Sequence, residues 1–473
     1  MKSIFKKNIF YKYFEWKFKT INDKQDDLKK EFKKITSIIN SNQVQKSIEE
    51  LKRNEQDMQQ QLSVIVDLLR SQLNQNNIIL ERTKQFESIN TELLKLKESN
   101  KCKILLVGFY GASNTGDELM LQAILSKLDC EKNEVTVMLA DNPNYNIIKK
   151  YNVNYLHYPK TNMDINMISK YFDKIIFGGG AIIDDVEYDD SLAYKYNVAN
   201  ILLELSIKAI YYNKEVYCIG LSSNSYISNF KYIKDLEFVI KNAKYFSLRD
   251  ENSKKTLINA KIKETDRIEI IDDIAYSLPK LKYNIEKDSF NIGLVLIGSA
   301  EENKLITILN ECNKFIYQNS NLKNGKILLI PFYNYNNSDT TEYKKIVNHS
   351  GLKSNVEILE YEQDYEKVMK QLSFCNILVG MRYHSSLLAL KSGIPSVHII
   401  YDVHRHYKNK MNFLKEQYGY PETYLSFKDM KQNDIVNSLN FVLNNYEEIN
   451  KKYIKISNEI EKRANKKTTE ILN

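Results

Sequence analysis

Residues 380–386 read GMRYHSS and follow an apolar run at 377–379 that has the composition of a buried strand. If the chain stays extended past Gly380, Arg382 and His384 point to the same side. Arginine offers a permanently charged planar fork for a carboxylate or phosphate. Histidine carries a proton near neutral pH. A helix opening at Ser385 would add backbone amides for an anion. Arg382 and His384 are therefore candidate catalytic residues, with Ser385 beside them as a binding group.

A second motif, GFYGASNTGDE at 108–118, follows the run at 104–107 and opens a helix. It matches neither G-x-G-x-x-G nor the phosphate loop that ends in G-K-[ST]. Asp117 and Glu118 sit where a phosphate would otherwise dock, and two carboxylates there repel it. Gly111, Asn114, Gly116 and Glu118 suit a hydroxyl-rich, neutral ligand. Asp117 is a candidate base, or alternatively a cap for its own helix. In FGGGAIIDD at 177–185, Gly178, Gly179 and Gly180 come directly after a strand, which suggests close approach of a ligand to the backbone or else a sharp turn. Arg249, in SLRDENS at 247–253, could clamp an anion. DDIAY follows at 272–276.

These motifs all come at the ends of short β-branched runs that alternate with amphipathic stretches. The first set of runs lies at 104–107, 135–139, 175–177, 216–219, 245–248 and 268–271. The stretches at 118–128 and 192–212 read as helices between them. After a polar stretch at 280–289 come runs at 292–297, 327–330, 356–359, 377–379 and 397–400. This pattern predicts an α/β protein with two doubly wound parallel-sheet domains, at 101–282 and 283–425, around a central cleft, with C-terminal helices over 426–473. Ligands in such sheets bind at the carboxyl ends of the strands, where the motifs lie.

Composition bounds the rest. All 14 Gly and 6 Pro of the 473 residues lie between Gly108 and Pro421. A Gly- and Pro-free stretch of a hundred residues is not a compact domain, and the remaining ~370 suit two domains of average size. Residues 21–100 read instead as a coiled-coil arm. One heptad seam holds Val44, Leu51, Met58, Ile65, Gln72, Ile79, Phe86 and Leu93, and predicts a homo-oligomer. The alternative is a long helix folded back on the body. Residues 1–20 interleave lysines with aromatic and aliphatic side chains, as in segments that lie on an anionic membrane surface. The net charge of +8 is spread over 68 basic and 60 acidic side chains, so no nucleic-acid partner is expected. Five cysteines without a C-x-x-C pair argue against a disulfide framework or structural zinc, and no metal is expected. No apolar run approaches the ~18 residues of a membrane span, and lysines interrupt each N-terminal apolar stretch. The expectation is a cytoplasmic protein held at the inner face of the membrane.

The four segments GFYGASNTGDE, FGGGAIIDD, SLRDENS with DDIAYSL, and GMRYHSSLLALKSGIPSVHIIYD occur in the same order in the polysaccharide pyruvyl transferase family, which this chain resembles over 103–402. The resemblance implies a glycosyltransferase-B-like fold and transfer of the enolpyruvyl unit of phosphoenolpyruvate to a sugar of a bacterial surface polysaccharide, closed as a cyclic ketal. The donor is a substrate, and no cofactor is implied. The acceptor is a saccharide, free or lipid-linked. By the same resemblance Arg382 would contact the donor, His384 would move a proton, and Asp117 would take one from the acceptor. Where relatives often carry Pro and Lys, this chain has Val403-His404-Arg405, so His404 or Arg405 would stand in for that Lys. Two other readings remain open: a nucleotide-sugar-dependent glycosyltransferase of the same fold, and a non-catalytic coiled-coil scaffold.

Overall fold

The computed structural model describes residues 15, 19–20, 22–31, 52–53, 58, 89–96, 100–140, 146–185, 198–223, 226–281, 290–319, 322, 324–335, 338–352, 354–403 and 405–472, the side chains of 405–410 excepted. The chain forms two compact units, Met1–Glu81 and Arg82–Asn473. In the first, residues 22–31 are helical and exposed apart from half-buried Leu28.

The second unit carries two parallel sheets. The strands of the first are β1 (Cys102–Val107), β2 (Asn133–Leu139), β3 (Asn154–His157), β4 (Lys174–Ile183), β5 (Glu215–Ser223), β6 (Tyr245–Leu248) and β7 (Glu269–Ile270), in the order β3-β2-β1-β4-β5-β6-β7. The second has β8 (Asn291–Val295), β9 (Lys326–Leu329), β10 (Val356–Ile358), β11 (Ile377–Gly380), β12 (Ser396–Ile400) and β13 (Tyr424–Ser426), ordered β10-β9-β8-β11-β12-β13. Helices cover both faces, so strands such as β11 and β12 are buried throughout and read as apolar runs rather than alternating ones.

The helices around the first sheet are α1 (Thr115–Leu125), α2 (Asn146–Tyr151), α3 (Asn162–Tyr171), α4 (Val198–Tyr211), α5 (Phe230–Asn242) and α6 (Glu251–Asn259). Around the second lie α7 (Glu302–Gln318), α8 (Asp339–Ser350), α9 (Tyr365–Ser373), α10 (Tyr383–Ser392), α11 (Arg405–Tyr418) and α12 (Asp434–Asn444). The long α13 (Tyr446–Leu472) returns to the first half, where Arg463 makes two bonds to Asp272, each 3.0 Å, and Lys467 reaches Glu269 at 2.7 Å. In each sheet the strand order reverses once, between β1 and β4 and between β8 and β11. GFYGASNTGDE follows β1, and GMRYHSS begins on the last residue of β11, so both motifs stand at a switch point of their sheet.

The structure corrects two expectations. The glycine triplet lies inside β4 rather than after it, with φ of +72° at Gly179 and +90° at Gly180 and a register shift between Gly180 and Ile183. A Cβ on Gly178 would stand 2.1 Å from Ile124 Cδ1 and 2.6 Å from the Tyr110 hydroxyl, and one on Gly179 would stand 2.5 Å from Met120 Sδ. At these two positions the missing side chain admits α1 and Tyr110, not a ligand. The heptad also runs on into the body. Residues 89–95 are helical, and Ile89, Leu93 and Leu96 are buried in the core of the first half. Glu92 there accepts from the His157 amide at 3.0 Å and meets Nδ1 of that ring at 2.6 Å. Leu93, a seam residue, is thus a core residue of the body. The seam from Val44 to Phe86, Met58 excepted, and most of the 1–20 segment lie outside the described residues. Among the described residues no helix is long and apolar enough to cross a membrane.

Because Gly178 packs on α1, Gly178→Ala should lower stability by about 1–3 kcal/mol through overpacking. Urea denaturation would show this as an earlier midpoint. An unchanged midpoint with weakened ligand binding would restore the ligand-contact reading.

Candidate active site

The loop after β1 is shaped by its own side chains. Asn114 caps α1 by accepting from Gly116 N at 3.2 Å, so Asp117 is left in the first turn without the capping role. Gly111 sits at φ +74° and donates to Glu118 Oε1 at 2.9 Å. Glu118 is wholly buried, and burial pushes its carboxyl well above the usual carboxylate range, with the nearby charge of Asp117 adding to the rise. Glu118 and Gly111 therefore hold the loop, which corrects their assignment to ligand binding. Asp117 is half-buried and faces the bend in β4: a Cβ on Gly180 would lie 3.3 Å from its Oδ1.

This loop is joined to the second half of the unit. Thr115 N donates to Phe332 O (3.0 Å), Asn334 N to Ser113 O (3.0 Å), and the Thr115 hydroxyl to Glu362 O (2.9 Å). Gln122 on α1 extends the contact, donating to Gln363 O at 2.9 Å and accepting from Tyr365 N at 3.1 Å. The start of α1 is thereby fixed opposite the end of β11.

Helix α10 starts at Tyr383, two residues before the expected Ser385, with Arg382 as its extended N-cap. The early start separates Arg382 from His384. Arg382 turns to α8, where Nε and Nη2 meet Asp339 Oδ2 and Oδ1 at 3.1 and 2.6 Å, and its guanidinium lies 5.5 Å from the Tyr333 ring centre. Asp339 is buried and also accepts from Gly298 N (3.1 Å) and Phe332 N (3.0 Å), so it is a rigid seat. The bidentate contact expected for a ligand is made here to Asp339. Ser385 is also reassigned, since it is buried and its hydroxyl donates to Arg382 O at 2.7 Å.

His384 turns instead to the first half. Its ring lies against the backbone of Gly116, where an added Cβ would be 2.0 Å from Nδ1. Its Nε2 is 3.7 Å from Asp273 Oδ2. That oxygen also receives Arg249 Nη1 at 2.8 Å, and the other carboxylate oxygen accepts from Ala275 N at 2.9 Å. Arg249 is 3% exposed, with Tyr383 stacked 4.7 Å from its guanidinium. Buried in this pair, it is a structural counter-ion and not the anion clamp read from the sequence. Burial alone would raise the Asp273 carboxyl, but the Arg249 guanidinium and then His384 outweigh it and hold the group well below the usual carboxylate range. A carboxylate biased towards its ionised form thus faces one nitrogen of His384, and the Gly116 backbone faces the other.

The structure therefore brings His384, Gly116 and the Asp117 turn together, and puts Arg382 on the same helix start. It adds Asp273 and Asp339. Asp273 was visible in DDIAY but had no role, because its partners lie 24 and 111 residues away in sequence, at Arg249 and His384. Asp339 carried no signal beyond a Ser-Asp helix start. The side chains of His404 and Arg405 lie outside the described residues.

Two doubly wound halves with polar side chains converging from both switch points define an α/β fold of the glycosyltransferase-B kind. Similar solved structures include a glycosyltransferase from Rickettsia africae (12% identity, TM-score 0.52, covering 79% of this chain and 98% of that one) and a Listeria monocytogenes protein assigned to the UDP-N-acetylglucosamine 2-epimerases (12%, TM-score 0.51, 78% and 94%). At such identity the likeness is one of fold. The sequence profile of the polysaccharide pyruvyl transferases matches residues 114–403, so the chain belongs to that family and is a transferase. Over 101 residues it is 29% identical to the amylovoran biosynthesis protein AmsJ of Erwinia amylovora, a match spanning 21% of this chain and 23% of that relative.

Gly116→Ala should displace the imidazole without unfolding the protein. A shift of about 1 Å in a catalytic group can cost 10²-fold, so turnover should fall by about that factor while the thermal midpoint moves little. Parent-like turnover would separate His384 from Gly116 in the working enzyme.

Proposed function

We propose that the protein transfers the enolpyruvyl group of phosphoenolpyruvate to a saccharide acceptor and closes it as a pyruvate ketal, modifying a bacterial surface polysaccharide. The supporting observation is the imidazole of His384 set between ionised Asp273 and the Gly116 backbone, next to Asp117. Two acceptor hydroxyls add to one carbon of the donor, and inorganic phosphate leaves. Of the two hydroxyl protons, one ends on the methylene carbon, which becomes methyl, and the other is carried off with phosphate. In this reading Asp117 takes the proton of the first attacking hydroxyl. His384 delivers a proton to the methylene carbon or to the departing phosphate, and Arg382, oriented by Asp339 and Tyr333, attracts the donor anion.

Purified protein should release phosphate from phosphoenolpyruvate when given a suitable sugar acceptor, and no release across a panel of free and lipid-linked acceptors would overturn the proposal. His384→Asn should lower turnover by about 10²–10⁴-fold, the usual contribution of a general acid–base group, with little change in donor affinity. Arg382→Lys should nearly abolish transfer, because an ammonium cannot keep the two-point contact with Asp339.

The same reading extends to residues 1–81. They would hold the enzyme as an oligomer and, through the basic aromatic segment, at an anionic membrane bearing a lipid-linked acceptor. Deleting 1–81, a cut that spares Ile89, Leu93 and Leu96, should leave turnover on a short soluble acceptor unchanged while lowering the native mass in light scattering and the binding to anionic vesicles. An unchanged mass and unchanged vesicle binding would remove both roles.

A further inference from the structure

Among the described residues, Lys391 is the most deeply buried cation that the site does not use. Its side chain is 1% exposed. Nζ donates to the Tyr276 carbonyl at 2.9 Å and lies 3.1 Å from Glu461 Oε2 on α13. A lysine is rarely buried without a reason, because desolvating an ammonium is costly even when it is paired.

The reason is visible in the spacing. His384 and Lys391 are seven residues apart on α10, two helical turns, and so share one face. Asp273 and Tyr276 are three apart, and Asp273 is the N-cap of the 3-10 turn Ile274–Ser277, whose i and i+3 positions stack. One face of α10 thus meets one edge of this turn at two points: His384 at Asp273, and Lys391 at the Tyr276 carbonyl. Helix α13 clamps the far end from outside. Ser457 donates to Lys391 O at 3.2 Å, Asn450 to Gly393 O at 2.6 Å, and Arg463 holds Asp272, the neighbour of Asp273. The Tyr276 hydroxyl is fixed as well, 2.8 Å from that of Tyr418.

We infer that Lys391 is a positioning residue for the transfer reaction: by pinning the Tyr276 carbonyl to α10, it sets the separation of Asp273 and His384. This rests on His384 as the proton carrier of the proposed function. Removing the ammonium frees one of the two points, and the turn can then pivot about Asp273.

The charge behaves accordingly. Burial lowers the Lys391 pKa, Glu461 opposes this, and Lys280 and Lys127 add to the fall, leaving it at about 8. Below that pH the ammonium attracts Glu461 and donates to Tyr276. Above it the neutral amine loses the attraction to Glu461 and the charge that strengthens its bond to the Tyr276 carbonyl, so turnover should decline. Stability should move the other way. The folded pKa lies below the ordinary lysine value of 10.5, so between about 8 and 10.5 the unfolded chain binds more protons, and this group's contribution to stability rises with pH. A purely structural lysine would not give turnover and stability of opposite slope.

The test uses the full chain and compares Lys391→Met with the exposed control Lys370→Met. Lys391→Met should lower kcat by about 10–100-fold, the cost of misplacing a reacting group, with KM for phosphoenolpyruvate nearly unchanged. In a double-mutant cycle its effect should largely vanish in an Asp273→Asn background. The imidazole resonance of His384, assigned by its loss in His384→Asn, should move in Lys391→Met and stay in place in the control. Effects on kcat that simply add to those of Asp273→Asn, or an unmoved His384 resonance, would overturn the inference. If the parent shows no transfer from phosphoenolpyruvate, the proposed function fails and the resonance alone decides the role of Lys391. If Lys391→Met does not fold, Lys391→Met combined with Glu461→Gln, which also removes the carboxylate left without its partner, carries the same cycle.

Discussion

A carboxylate that stays ionised when sealed from water must be paired, and Asp273 is such a group. Left alone, its charge would be strongly destabilising in the interior. Arg249, from the end of β6, supplies the counter-charge, and His384, from the start of α10, lies at the remaining approach. One buried group thus ties the edge of the first sheet to the switch point of the second. Arg249 is committed to Asp273, and the only cation of the GMRYHSS motif with a planar fork is Arg382, itself seated on buried Asp339. Arg382 is thus oriented by a fixed carboxylate, which in the proposed reaction would reduce the reorganisation needed when the donor binds.

The alternation of apolar runs was enough to reveal two parallel sheets, because strands buried on both faces leave a strong local signal. The motifs at their ends marked the right loops for the same reason: in doubly wound sheets the chain's irregular residues gather at the carboxyl ends. Local readings failed where tertiary packing decided the outcome. Gly178 and Gly179 looked like ligand-facing glycines, but helix α1 occupies the space. Glu118 reads as a ligand-binding carboxylate at a helix start, yet it is buried against Gly111. The two-residue error in the start of α10 had the largest effect. A strand period would have aimed Arg382 and His384 together, whereas helical geometry sends one to Asp339 and the other to Asp273. Asp273 and Asp339 gain their meaning from partners far away in sequence, which no local spacing reports.

Leu93 teaches a related lesson. It fits the heptad as well as any seam residue, and a heptad is a statement about period and not about partner. In the structure the surface that covers it is the body's own core, alongside Ile89 and Leu96. A repeat in sequence can therefore run across the boundary between two physical roles without a break.

The grip of α13 on the first half has a consequence for how the enzyme comes into being. Arg463 and Asp272 are 191 residues apart, and the helix that joins them belongs to the second half by sequence. As the chain leaves the ribosome, the first sheet and its β1 loop emerge whole while Asp272 still waits for its counter-ion. Helix α10 follows, and its C-terminal end remains uncovered until residues 450–463 are made. The strands of the first sheet are therefore all made early in synthesis, whereas the contacts of α13 with Asp272 and with the end of α10 are among the last to form.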